Sequence, residues 1–106
     1  MSLETTSSVD AVGIENESGF AVLTIIDSWD WSDERNHLMA LQAKINAYFE
    51  FIEGGQIWNS YPAAVGRKIV IEVVCRFPLP KSAWELLHHA NNVAAELNVA
   101  VRHRMA

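Results

Sequence analysis

The sequence predicts an α+β two-layer sandwich, a mixed or antiparallel sheet of four to five strands carrying two helices on one face. Three observations point to it. Residues 20–27 are a short run of mostly β-branched and aromatic residues, 68–77 sets apolar residues at alternate positions, and apolar residues recur with period 3.6 over 32–53 and 82–97. The 68–77 segment also sets an unbroken apolar face (Ile69, Ile71, Val73, Cys75, Phe77) against a mixed one (Lys68, Val70, Glu72, Val74, Arg76), as expected of a sheet covered on one side only.

In chain order, Val9 to Glu15 and Phe20 to Asp27 are rich in β-branched and aromatic residues and read as a hairpin around Asn16-Glu17-Ser18-Gly19. Gly19 supplies the positive φ such a loop needs. Both faces of the second strand are fairly apolar, which places it inside the sheet. Leu38, Leu41, Ile45, Tyr48 and Ile52 then draw one stripe along a helix from about Ser32 to Glu53, stopped by Gly54-Gly55. Gln56 to Tyr61 fits a short strand before Pro62, with a loop as the alternative. After the 68–77 strand, Pro78-Leu79-Pro80 breaks the chain, and Ser82 with Glu85 forms a capping-box pattern opening a second helix. Its stripe is Leu86, Leu87, Ala90, Val93, Ala94 and Leu97, and Asn98 leads into a last strand over Val99 to Arg102. The order is β-β-α-(β)-β-α-β. With the bracketed strand present, everything after the first strand is a ferredoxin-like order.

The chain of 106 residues is half hydrophobic and 20% charged, which fits one globular domain over 9–106 behind a flexible, Ser/Thr-containing start at 1–8. Its net charge of −5 argues against a nucleic-acid partner or an anionic membrane. That charge is polarised: residues 1–53 hold ten acids and two bases, residues 54–106 three acids and six bases. No apolar run is long enough to span a membrane and no secretion signal precedes the domain, so a cytoplasmic location is expected. The single cysteine, Cys75, excludes an intramolecular disulfide and reads as a small buried hydrophobe.

The stretch Phe51-Ile52-Glu53-Gly54-Gly55-Gln56-Ile57-Trp58, then Tyr61-Pro62 and Gly66-Arg67-Lys68-Ile69-Val70-Ile71, resembles a segment of small bacterial proteins grouped as a domain of unknown function. The resemblance extends more loosely to Asp10, Ile14 and Gly19 in the hairpin and to the acidic Trp segment before the first helix. It implies a bacterial, cytoplasmic, stand-alone domain, and it brings no activity or catalytic residue with it.

Chemistry-bearing patterns are sparse. His88 and His89 are neighbours on a helix and diverge by about 100°. Glu85 with His89, and Asp33 with His37, have i, i+4 spacing, but two ligands do not make a zinc site. No nucleophile elbow or phosphate loop occurs, so no catalytic residue, metal or cofactor is assigned. The informative segment is Asp27-Ser28-Trp29-Asp30-Trp31-Ser32-Asp33-Glu34. Asp30 or Ser32 would cap the first helix, and Asp33 and Glu34 would complement its dipole. Two indoles two residues apart among acids also fit a protein-binding surface, with Trp29, Asp30, Trp31, Asp33, Glu34 and Arg76 as its residues. A crossover through the first helix would make the strands ending at Asp27 and Phe77 parallel, bringing Arg76 to the same sheet edge, where a salt bridge to Asp27 or Asp30 is expected.

The function expected is therefore a non-enzymatic protein-interaction module. It could associate with itself as a homodimer, through a sheet edge or the mixed face carrying Val70 and Val74, or with another protein. An acidic immunity-type inhibitor of a basic toxin is one alternative. A small enzyme or ligand-binding domain with a pocket between Asp27–Glu34 and Arg76–Lys81 is the other.

Overall fold

The computed structural model describes residue 3 and residues 9–106. Its elements are β1 (Ala11–Ile14), β2 (Ala21–Asp27), α1 (Glu34–Glu53), α2 (Gln56–Ser60), a 3-10 turn (Pro62–Ala64), β3 (Ile69–Cys75), α3 (Lys81–Ala95) and β4 (Val99–Met105). The fold is α+β, and the four strands lie in the order β1-β2-β3-β4. β1 runs antiparallel to β2, while β2, β3 and β4 are mutually parallel. The interior position of β2 and its parallel pairing with β3 match the sequence pattern.

Alternation decides which side is covered. Ala21, Leu23 and Ile25 of β2, Ile69, Ile71 and Val73 of β3, and Val99 and Val101 of β4 are buried against the stripes Leu41–Ile45–Tyr48–Ile52 of α1 and Leu87–Ala90–Ala94 of α3. The opposite face carries Val22, Thr24, Ile26, Val70, Glu72, Val74, Arg102 and Arg104; Val70, at its centre, is buried and the others are half-buried or exposed, so the molecule has two layers. On that face Glu72 accepts from Arg102 Nε at 2.8 Å and Arg104 Nε at 3.1 Å, and Glu15 accepts from Arg102 Nη2 at 2.8 Å. The Glu15–Arg102 pair joins the acidic half of the chain to the basic half.

The hairpin closes as its loop composition predicts. Gly19 has φ +74° and its N–H donates to the Glu15 carbonyl at 2.8 Å. Arg67 donates to the Gly19 carbonyl at 2.9 Å, and a Cβ on Gly19 would lie 3.3 Å from that guanidinium. Asn98, at φ +59°, turns the chain from α3 into β4. There Val101 N–H donates back to the Asn91 side-chain oxygen at 2.9 Å.

Four expectations are corrected. Residues 56–60 form a helix, not a strand, so the ferredoxin-like order is not realised. Gly55 reverses the chain at φ +81°, and of the next five residues only Ile57 is buried, whereas a strand would need alternate residues inside. α1 is capped by Asp33, which accepts from Asn36 N–H at 3.3 Å, rather than by Asp30 or Ser32. α3 opens at Lys81 behind Pro80, whose fixed φ is ready for a helix start, and the Ser82 hydroxyl therefore falls inside the first turn and donates to Glu34 at 2.6 Å. β3 ends at Cys75, leaving Phe77 outside the strand and 37% exposed. The expectation of a loose start at 1–8 lies outside the described residues except at Leu3, whose side chain is buried in the core.

Candidate functional site

β2 ends on Asp27, which shares the core-facing row with Ala21, Leu23 and Ile25 and is 2% exposed. Its register partner on β3 is Cys75, and Arg76 N–H donates to the Asp27 carbonyl at 3.0 Å. The carboxylate thus sits at the C-terminal end of parallel strands, where sites of parallel sheets gather.

Three aspartates spaced three apart build the turn that follows. Asp27 Oδ1 accepts from Trp29 N–H at 3.2 Å. Asp30 Oδ1 accepts from Ser32 N–H at 3.0 Å and from the Ser32 hydroxyl at 2.7 Å. Asp33 caps α1. Such Asx contacts fix a short loop without regular secondary structure.

His37, in the first turns of α1, reaches back under this loop and is 1% exposed. Its Nε2 lies 2.7 Å from Asp27 Oδ1 and 2.6 Å from Oδ2, and its Nδ1 lies 2.8 Å from the Asp30 carbonyl oxygen. A carbonyl oxygen only accepts, so Nδ1 carries its hydrogen, and a further proton lies between Nε2 and Asp27. The Trp31 ring stacks on the imidazole, centroids 3.5 Å apart at 12°, and Trp29 meets it edge-on at 5.5 Å. Both indoles are half-buried, so each packs on His37 with part of its surface outside. Burial pushes the Asp27 carboxyl above its ordinary range, against the opposing His37 hydrogen bond, while the Ser32 bonds hold Asp30 below its own.

Ser28, Asp30, Ser32, Asp33 and Asn36, with Trp29 and His37, enclose an open depression of about 380 Å³. Asp30, Asp33 and Glu34 are exposed around it. Arg76 does reach this sheet edge, but the expected salt bridge is not made: Asp27 is engaged by His37, Asp30 by Ser32, and the guanidinium lies over the Phe77 ring at 5.8 Å.

The remaining candidates scatter. His88 and His89 are exposed on α3, and His103 meets Trp84 edge-on at 4.4 Å. Among the described residues no group of three or more His, Cys, Asp or Glu could hold a metal ion. None of the described helices is long and apolar enough to cross a membrane.

The pairing of Asp27 with His37 is absent from the sequence reading, which paired His37 with Asp33. A signal existed: a carboxylate in register with three apolar core residues needs a buried partner. A second buried cluster also escaped. Lys44 is fully buried with its Nζ 3.2 Å from Asp10 Oδ1. Asp10 N–H donates to the Tyr48 hydroxyl at 2.9 Å, and that hydroxyl donates to the Thr24 carbonyl at 2.6 Å. Asp10 Oδ2 accepts from Ile26 N–H at 3.0 Å, extending the edge of the sheet beyond β1.

A family model described as a family of unknown function (DUF6572) matches the chain over residues 1–106. No curated protein and no solved structure matches it.

Proposed function

Because the chain belongs to this family, whose description assigns no activity, its role has to be argued from its own residues, and we propose that it is a non-catalytic protein-association module acting through the Trp29–Glu34 turn. One observation carries the reading: the turn is braced from within, by three aspartate side chains and by His37, while Asp30, Asp33 and Glu34 stay exposed beside two half-exposed indoles. A braced aromatic surface loses little conformational entropy on binding. The carboxylates select a basic partner, and an acidic inhibitor that covers a basic toxin is the specific form of this reading. The state of His37 supports it over the enzyme alternative, since both ring nitrogens are engaged within the protein and neither is left for a substrate.

The test uses Asp30→Asn/Asp33→Asn, which removes two charges while each amide oxygen can still accept the backbone bonds. Native bait should capture a basic protein that the double variant, with an unchanged circular dichroism spectrum, does not. Identical captures by both baits would sink the proposal.

Self-association is a second reading, favoured by the uncovered face of the sheet. Parallel strands are ordinarily covered on both sides, yet here Ile26 is 46% exposed and Val22 and Val74 are half-buried, while Val70, the other residue expected on this face, is already buried by its neighbours. Light scattering decides it: a mass that stays at 11.9 kDa at every concentration rules the dimer out.

A further inference from the structure

We propose that Asp27 and His37 form a proton-gated latch on the Trp29–Glu34 turn, closed while the pair shares one proton between Nε2 and the carboxyl and opened when that proton leaves. Its consequence for association rests on the reading of this turn as the contact surface; the latch itself does not.

Hydrogen-bond counting gives the mechanism. In the closed state Nδ1–H donates to the Asp30 carbonyl and one proton bridges Nε2 and Asp27, so the buried pair is neutral overall. Losing the bridging proton leaves two arrangements. Either Nε2 turns a lone pair toward the Asp27 carboxylate, or the ring changes tautomer and Nδ1 turns a lone pair toward the Asp30 carbonyl. Each replaces an attraction by a repulsion in a water-poor setting, and each cuts one of the two hydrogen bonds of the His37 ring, to Asp27 at the end of β2 or to Asp30 in the turn. Trp31, stacked on the ring, and Trp29, at its edge, lose the platform on which they rest.

The neighbours set the direction. Asp27 faces the ring from the end of β2, Cys75 lies opposite Asp27 on β3, and the Asp30 carboxylate lies within the turn. α3 reaches this end of α1 through Ser82, which bonds Glu34. The acids around the ring favour keeping the proton on the pair, and burial of Asp27 acts the same way. The latch therefore opens as pH rises.

The experiment uses the full chain carrying Trp84→Phe, because Trp84 touches His103 and would report a second histidine. Nitrogen-15 NMR of the His37 ring, tryptophan emission, and amide exchange at Trp29 and Ser32 are followed from mildly acidic to alkaline pH. The expected result is one reversible step shared by all three, with emission changing and the two amides exchanging at least tenfold faster at high pH. Asp27→Asn, which takes away the carboxylate side of the shared proton, should remove the shared step. Should that variant not fold, Trp31→Phe serves: the NMR step stays and most of the emission step disappears. A His37 ring that loses its proton while emission and the two amides stay unchanged overturns the latch, as does an Nδ1 without hydrogen at neutral pH. These readouts need no partner. Loss of the capture difference with the shared step intact overturns the contact-surface reading and leaves the latch standing.

Discussion

The Lys44 ammonium lies 3.2 Å from the Asp10 carboxylate, with the lysine side chain fully buried and the aspartate 10% exposed. The Tyr48 ring lies 5.7 Å from the same ammonium, and removing one member of a buried pair costs up to about 3–5 kcal/mol. Asp10→Ala should lose stability of that order, because the same side chain also accepts from Ile26 N–H. Lys44→Met, which removes the charge and keeps the stem, should cost less. Urea melts of the two variants give the comparison; equal losses would mean that the charge itself is unimportant.

Tyr48 bridges the same cluster, accepting from Asp10 N–H and donating to the Thr24 carbonyl. Tyr48→Phe leaves both groups short of a partner in a part-buried setting, a loss of about 1–3 kcal/mol. Burial also pushes the phenol well above its ordinary range. Ultraviolet difference spectra should accordingly show Tyr48 ionising only together with unfolding.

Cys75 is 1% exposed, and burial with the nearby Asp27 charge pushes its thiol up to about 11. Thiolate is the reactive form, so the native protein at neutral pH should resist a disulfide reagent that labels the unfolded chain at once. Prompt stoichiometric labelling of folded protein would contradict the placement of Cys75 beside Asp27.

Glu15 ties the hairpin to β4 through Arg102, and its hydrogen bonds with Ser18 and Arg102 hold its carboxyl below the ordinary value of 4.5. A carboxylate with a depressed folded value stabilises above its unfolded pKa and loses that contribution as pH falls through the folded one. Glu15→Gln should therefore flatten the acid limb of the stability curve below pH 4.5 and change its shape little near neutrality. Since the pair is exposed, the effect should shrink with added salt.

Much of the fold was legible because its elements carry strong periods. β2 is a short β-branched apolar run, β3 shows alternation, α1 and α3 show continuous stripes, and the crossover through α1 implied the parallel pairing that brings Arg76 beside Asp27. Other parts carry no period. α2 has one buried residue, Ile57, and a single anchor cannot distinguish a helical turn from a strand. The Ser82–Glu85 pattern misled because Pro80 starts the helix earlier. In the candidate site, the acidic turn and its two indoles stood out by composition. Their shared support did not, because His37 joins Asp27 from another element and its nearer partner by spacing was Asp33. Lys44 was hidden differently: a lysine inside an apolar stripe passes for a residue at its margin until Asp10 is seen folded over it.

Asn91 gives the fold a stopper. Its amide oxygen already occupies a rung of the outer rim of β4, at Val101, and Trp84 of the same helix meets the His103 ring two residues further along the strand. A foreign strand arriving there would have to evict a side chain of α3 before it could zip along its length, and at the far rim β1 offers only four residues to copy. Runaway stacking of sheets end on end is discouraged at both margins.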